Sequence, residues 1–176
     1  MKPLTTHLSI QKCTTSDASL LTHISRDTFI AAFEAQNDPD DFKNYIETAF
    51  NETQLLNEIN SDGTSFYFVY DSTELVGYFK VNIGKSQSDI KDENSMELER
   101  IYVLGGNQGK GIGAWILDQV IVLAKKNALD YLWLGVWEHN PRAIKFYLDN
   151  GFTKFGTHPY FIGKDKQTDW LLRLEL

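Results

Sequence analysis

The chain has 176 residues, with 24 Asp and Glu against 17 Lys and Arg and a formal net charge of −7. That balance, and a pI near 5.0, exclude the basic footprint of a nucleic-acid-binding protein. The single cysteine, Cys13, excludes an intrachain disulfide and a cysteine-rich metal site. Residues 1–10 lack the apolar core of a signal peptide, and no apolar run approaches the ~20 residues that span a bilayer. The expectation is a cytoplasmic protein with no membrane partner. The length suits one domain over 1–176 with a sizeable core.

Residues 8–13 read as a first strand. Thr15 or Ser16 caps a helix to about residue 33, with Leu20, Leu21 and Ile24 on one face. Asp38-Pro39 is a cap followed by proline at the first helical position, opening a second helix to about residue 49. A third, shorter helix covers 52–59 and is broken by Ser61-Asp62-Gly63. Residues 65–70 and 75–83 are aromatic and β-branched runs that read as a hairpin. The polar segment 84–94 reads as a mobile loop, and 95–104 as the next strand. Ile112, Ile116, Val120, Leu123 and Ala124 mark a helix over 112–126. Residues 131–136 are apolar throughout, as in a strand buried on both faces. Asn140-Pro141 opens another helix and Asn150-Gly151 closes it. Strands around 153–161 and 169–176 complete the chain. The order is β, three helices, βββ, α, β, α, ββ, an α/β arrangement.

The most informative stretch is Gln108-Gly109-Lys110-Gly111-Ile112-Gly113, between a strand and a helix. Glycines let backbone approach a phosphate, and the first N–H groups of the helix point at it. A P-loop needs Ser or Thr after its lysine, and Lys110 is followed by Gly111. The dinucleotide fingerprint needs a different third spacing and an earlier position in the chain. Gln108, Gly111 and Gly113 instead fit Gln/Arg-x-x-Gly-x-Gly/Ala. A second block, Asn140-x-x-Ala143-x-x-Phe146-Tyr147 with Gly151-Phe152, follows at a suitable distance.

Together these motifs resemble the GNAT family of acetyl-CoA-dependent N-acetyltransferases. Residues 27–29, Phe33, Gln36-Asn37, 45–47, 49–51, 133–138 and 167–169 further resemble the PaiA-type spermidine/spermine N-acetyltransferases. The resemblance implies a mixed central sheet of about seven strands, splayed at an acetyl-CoA slot and flanked by helices. It also implies acetyl transfer from acetyl-CoA to a primary amine of a polyamine.

Such a reaction needs a neutral nitrogen, a polarised carbonyl and a stabilised leaving thiolate. A primary alkylamine has a pKa near that of lysine, ~10.4, so a base must take its proton at neutral pH. Glu97 and Glu99 are the candidates. Strand alternation places both on one face, with Met96, Leu98 and Arg100 on the other. A carboxylate at the edge of a buried site is expected to have a raised pKa. The plainer reading pairs these acids with Arg100 or Lys80. Family position favours Glu99, acting through water.

Tyr147 is the candidate general acid, which the resemblance places at the CoA sulfur. A core tyrosine with a satisfied hydroxyl is the plainer reading. Asn140 caps its helix, and the resemblance adds contact with the pantetheine arm or a nearby water. It further implies that backbone of Ile101, Tyr102 and Val103 pairs with pantetheine amides. A bulge there would splay the sheet, and an N–H near Val103 would polarise the thioester. Gln108, Gly109, Lys110, Gly111, Ile112 and Gly113 form the expected pyrophosphate loop. Lys110 and Lys145 are further candidates for CoA phosphates.

For the amine, Phe29, Phe33, Trp137, Tyr160 and Phe161 are candidates to wall a slot for a methylene chain. Glu34, Asp38, Asp40, Asp41 and Glu93 are candidates to hold distal ammonium groups. His7, His23, His139 and His158 lack ligand spacing, so no metal is expected. The partner is then a small-molecule amine, and the protein a monomer or homodimer. Two alternatives stay open: acetylation of a protein N-terminus or lysine, and a module that senses acetyl-CoA without turnover. Tyr147 and Glu99 argue against the sensor. Fold analogy does not decide the substrate.

Overall fold

The computed structural model describes residues 7–176, so part of the reading of residues 1–10 lies outside the described residues. β1 (Leu8–Lys12) leads to α1 (Ala18–Phe33), α2 (Pro39–Ala49) and α3 (Glu52–Ile59). β2 (Thr64–Asp71), β3 (Glu74–Ile83) and β4 (Ser95–Val103) form a meander. α4 (Ile112–Lys126), β5 (Tyr131–Trp137) and α5 (Pro141–Asp149) follow, then the hairpin of β6 (Thr153–Ile162) and β7 (Asp165–Glu175). The seven strands form one mixed sheet in the order β1-β2-β3-β4-β5-β7-β6. Only the β4–β5 pair is parallel.

Alternation along β2 assigns the two faces. Phe66 and Phe68 pack with Leu21, Ile24 and Leu55 under α1 and α3. Tyr67 and Val69 face the other layer, where Ile112, Ile116, Leu117 and Val120 of α4 cover Met96, Leu98, Leu132 and Leu134. β5 is buried on both faces as expected, apart from Gly135. A third cluster, Phe29, Phe42, Ile46, Phe50 and Ile162, gathers α1, α2 and the end of β6 beside the middle of β4.

The helix ends follow side-chain capping. Asp38 accepts from the N–H groups of Asp40 and Asp41 at 3.0 and 3.1 Å, with Pro39 at the first helical position. Asn140 accepts from the N–H of Ala143 at 3.1 Å. The entry to α1 differs from expectation. Thr14 is the cap, its N–H donating to Asp17 at 2.8 Å, and a 3₁₀ turn over Thr15–Asp17 precedes the helix. Leu20 is 44% exposed, so Leu21 and Ile24 carry the buried face without it. β7 also starts earlier, because Gly163 at φ +58° allows a tight hairpin directly into Asp165.

The segment 84–94 is anchored. Gln87 is 2% exposed; its amide accepts from Ser95 Oγ at 2.8 Å and from the indole of Trp133. Ser88 donates to Glu97 from its N–H at 2.7 Å and from its hydroxyl. The Tyr131 hydroxyl donates to Asp92 at 2.8 Å. The polar groups that make this segment read as a mobile loop are hydrogen-bonded to β4 and β5.

At Gly77 the backbone of β4 lies close against β3. A Cβ there would lie 2.5 Å from the Tyr102 carbonyl oxygen, a backbone atom that cannot move alone. Gly77→Ala is expected to destabilise the fold by about 1–3 kcal/mol, as overpacking does. Urea unfolding measures it, and an unchanged midpoint would show that β4 shifts freely.

Candidate active site

Two clefts meet on β4. Its pairing with β5 is limited to Ser95↔Tyr131, Met96↔Leu132 and Glu97↔Trp133. Beyond Glu97 the strands part. On its other edge, β3 pairs Lys80 with Arg100 and Val81 with Leu98, so Glu99 is the extra residue of a bulge.

The first cleft is a slot of about 440 Å³ lined by Ile101, Tyr102, Val103, Gln108, Gly109, Gly111, Gly113, Asn140 and Tyr147. Ala143 and Phe146 of the second motif also line it, as do Asn107, Ala114 and Arg142, which were not singled out from sequence. Gly106, Gly109 and Gly111 have φ of +81°, +75° and +84°, a region costly for any side chain. Gly111 is the N-cap of α4 and supplies no side-chain cap, so the first N–H groups of that helix are left for another acceptor. The Gln108 amide donates to the Val103 carbonyl at 3.1 Å and ties the loop to the strand end.

Three expected loop or phosphate residues lie outside the slot lining. Ile112 is buried in the core under α4. Lys110 is exposed, with its ammonium 2.8 Å from Asn107 Oδ1. Lys145 is paired with Asp149 at 2.7 Å.

The second cleft, about 260 Å³, shares Ile101, Tyr102, Asn140, Ala143 and Tyr147 with the first. Phe29, Phe33, Trp137 and Tyr160 line it, joined by Tyr45 and Phe50. Phe29 packs on Phe33 at 4.7 Å and on Tyr45 at 5.4 Å between ring centres; Phe33 meets Trp137 edge-on at 6.5 Å. The Tyr45 and Tyr160 hydroxyls are hydrogen-bonded to each other. Gln167 and Asp169 line it too. Among the expected residues, Phe161 is 54% exposed and outside this lining. Glu34 is exposed and belongs instead to a groove with Arg26 and Lys43 between α1 and α2. Asp38 is the cap of α2, and Asp41 accepts from the N–H of Lys164 at 3.2 Å.

Glu99 lines the second cleft and Glu97 does not. One amide joins them: Asn82 Nδ2 donates to Glu97 at 3.0 Å and to Glu99 at 2.6 Å. The strand alternation expected for Arg100 fails at the bulge. Arg100 comes round to Glu99, with 3.7 Å between them, and lies over the Phe50 ring. Lys80 completes the group, 2.6 Å from Glu99 and 2.9 Å from Glu58. Burial pushes the Glu99 carboxyl up, but Lys80, Arg100 and Asn82 together outweigh it and hold the group below the usual carboxylate range. This reverses the raised value expected of it. Glu97 is the raised one, through burial first and the neighbouring Glu99 second, with Ser88 and Asn82 opposing. Burial alone raises Tyr147, so its phenol keeps its proton at any working pH.

His158 stands beside the same cleft. Its Nδ1 is 2.7 Å from Asp89 and its Nε2 is 3.6 Å from Asp169. The two nitrogens face two separate carboxylates rather than one point, and no metal-holding group occurs among the described residues.

The sequence matches the acetyltransferase (GNAT) family over residues 21–152. It is similar to an uncharacterized N-acetyltransferase of the pepI 3′ region of Lactobacillus delbrueckii subsp. lactis, 38% identical over 153 residues, or 87% of this chain and 88% of that one. The chain belongs to the GNAT family and is an acetyl-CoA-dependent N-acetyltransferase. Its fold is similar to PaiA N-acetyltransferase from Thermoplasma acidophilum, solved with coenzyme A, with a TM-score of 0.76 at 20% identity over 96% of this chain and 99% of that one. It is also similar to spermidine N-acetyltransferase from Vibrio cholerae, solved with CoA and spermine, with a TM-score of 0.69 at 18% identity over 97% and 96% of the two chains.

The slot fits this co-substrate. Space for a Cβ is open at Gly105, Gly106 and Gly109, so backbone is exposed to an approaching phosphate. The unpaired edge of β4 offers amides to an extended arm. Gly111→Ala places a side chain at φ +84° at the mouth of the slot. The expected result is about tenfold weaker CoA binding by calorimetry, equivalent to the ~1–2 kcal/mol cost of a left-handed non-glycine residue. Unchanged affinity would separate the loop from the phosphates.

Proposed function

We propose that the chain transfers acetyl from acetyl-CoA to a primary amine of a polyamine such as spermidine or spermine. The observation that carries this reading is the aromatic cleft that meets the slot at Tyr147 and holds two carboxylates, Glu99 and Asp169. Aromatic walls suit methylene chains, and ring faces attract ammonium groups. Spermine in the similar Vibrio cholerae enzyme supports the same class of substrate.

Acetyl-CoA supplies the acetyl thioester. Glu99, kept ionised by Lys80 and Arg100, stands at the cleft as an acceptor for the proton of the reacting nitrogen. Held low, it is a weak base, so it relays the proton through water as the nitrogen turns acidic on acylation. Backbone N–H groups of β4 near Val103 orient and polarise the thioester oxygen. Tyr147 aims a phenol at the junction. A thiol has a pKa of about 8.5, below any value for this raised phenol, so complete proton transfer to the thiolate is uphill. Tyr147 therefore stabilises the leaving sulfur by donating a hydrogen bond. Asn140 fixes the start of α5 and with it the height of Tyr147.

Release of CoA thiol tests the reading, comparing spermidine, spermine, putrescine, butylamine and a lysine peptide. Saturable turnover of spermidine or spermine with little on the peptide is expected. Peptide turnover without polyamine turnover would move the function to protein acetylation. Tight acetyl-CoA binding with no turnover would leave a sensor.

Tyr147→Phe is expected to lower kcat on the order of 10²-fold with little change in KM for acetyl-CoA. Equal kcat in the variant would remove Tyr147 from the chemistry.

The depressed Glu99 protonates only below the ordinary carboxylate range, so no acid limb near neutrality belongs to it. Wild-type kcat/KM is expected to climb as pH rises from 6 to 9, following the free amine. Glu99→Gln should lower the whole profile by about 10²-fold without moving its shape. A neutral-pH midpoint that disappears in Glu99→Gln would instead make Glu99 a matched base.

A further inference from the structure

The cleft has two carboxylates, and they are held differently. Glu99 is committed to Lys80, Arg100 and Asn82. Among the described residues, the cation paired with Asp169 is His158, at 3.6 Å, an ion pair rather than a close hydrogen bond. The other nitrogen of that imidazole is taken by Asp89 at 2.7 Å. Two carboxylates on one imidazole leave a surplus negative charge even when the imidazole is protonated. The Asp169 side chain is 15% exposed and faces the cleft wall. Gly135 keeps it approachable: a Cβ there would sit 3.2 Å from Asp169 Oδ2 and 3.4 Å from His158 Nε2.

We propose that Asp169 is the anchor for a second ammonium group of the amine substrate, and that His158 positions it and competes for it. This rests on the polyamine reading above and adds the residue that distinguishes a diamine from a monoamine. Asp169 touches the substrate; His158 acts through Asp169. Glu99 serves the reacting nitrogen and Tyr147 the leaving sulfur, while the rings of Phe33, Trp137 and Tyr160 wall the methylenes between.

The competition has a sign. The nearby Asp169 raises His158 first, burial opposes it, and Asp89 adds to the rise, to about 8. The charged groups facing the imidazole are Asp169 from β7 and Asp89 from the segment before β4; β5 contributes uncharged Gly135. Below that pH the imidazolium occupies Asp169. Above it, the charge is lost and Asp169 is released to an ammonium. Preference for a diamine over a monoamine therefore grows as pH rises through 8.

The test is the ratio of kcat/KM for spermidine to that for butylamine between pH 7 and 9. Dividing this ratio by the same ratio in His158→Gln cancels the titration of the amines themselves, whose coupled ammonium groups do not share one pKa. In the wild type the ratio is expected to exceed one and, divided in this way, to rise across the range. Asp169→Asn should lower it about tenfold or more, through KM for spermidine. A wild-type ratio near one, or an unchanged ratio in Asp169→Asn with spermidine still turned over, overturns the anchor while the polyamine reading stands. No polyamine turnover by the wild type overturns both. Should Asp169→Asn unfold at lower temperature than the wild type, the divided ratio decides, and one that stays flat through pH 8 overturns the proposal.

Discussion

The parting of β4 from β5 after the Glu97↔Trp133 pair is the constraint on which the site depends. Backbone N–H and C=O groups are obligatory hydrogen-bonding groups, and a strand that leaves its neighbour exposes a row of them. Here that row forms one wall of the slot, and the loop before α4 closes the end of it. The bulge at Glu99 has a second consequence. It breaks side-chain alternation, so Glu99 and the following Arg100 both reach the aromatic side of the sheet. One inserted residue thus sets both the backbone slot and the charge beside it.

That charge is balanced locally. Glu58 and Glu99 face Lys80 and Arg100, two acids and two bases, all largely buried. Buried pairs of this kind add little stability over an apolar replacement, because desolvation offsets the attraction. Their effect here is on protonation: Lys80 and Arg100 overcome the burial that would neutralise Glu99. Glu97, two residues earlier and away from those cations, shifts in the opposite direction. The same residue type on the same strand face therefore has two different roles, one facing the cleft and one holding Ser88 in the loop.

The fold was legible in the sequence because its elements carry local chemistry. Alternation in β2, the unbroken apolar run of β5, Asp38-Pro39 and Asn140-Pro141 each name their structure without reference to distant residues. The glycine loop was legible because positive φ demands glycine. The aromatic cleft was legible as a set of residue types, and the structure brings Phe29, Phe33, Trp137 and Tyr160 together in it. What was not legible depended on contacts far apart in the chain. Glu34 is near Phe33 in sequence but one step round the helix, in another groove. The low Glu99 carboxyl depends on Lys80, and the anchoring of Gln87 on Trp133, 46 residues away. Asp169 lies in a segment marked only by family resemblance, and its pairing with His158 across β6 and β7 carries no spacing that shows it in the sequence.

The volume of the cleft bears on which amine it suits. At about 260 Å³ the cleft is narrow, a shape that suits a slender chain entering end-on. A lysine side chain is slender, and on shape alone it competes with a polyamine. The two differ in charge: lysine brings one ammonium, the reacting one, and leaves Asp169 paired only with His158. A second ammonium gives that partly desolvated carboxylate a full counter-charge. If Asp169 is the anchor proposed above, discrimination between the two substrates lies in whether its charge is matched, a larger effect than the fit of another methylene.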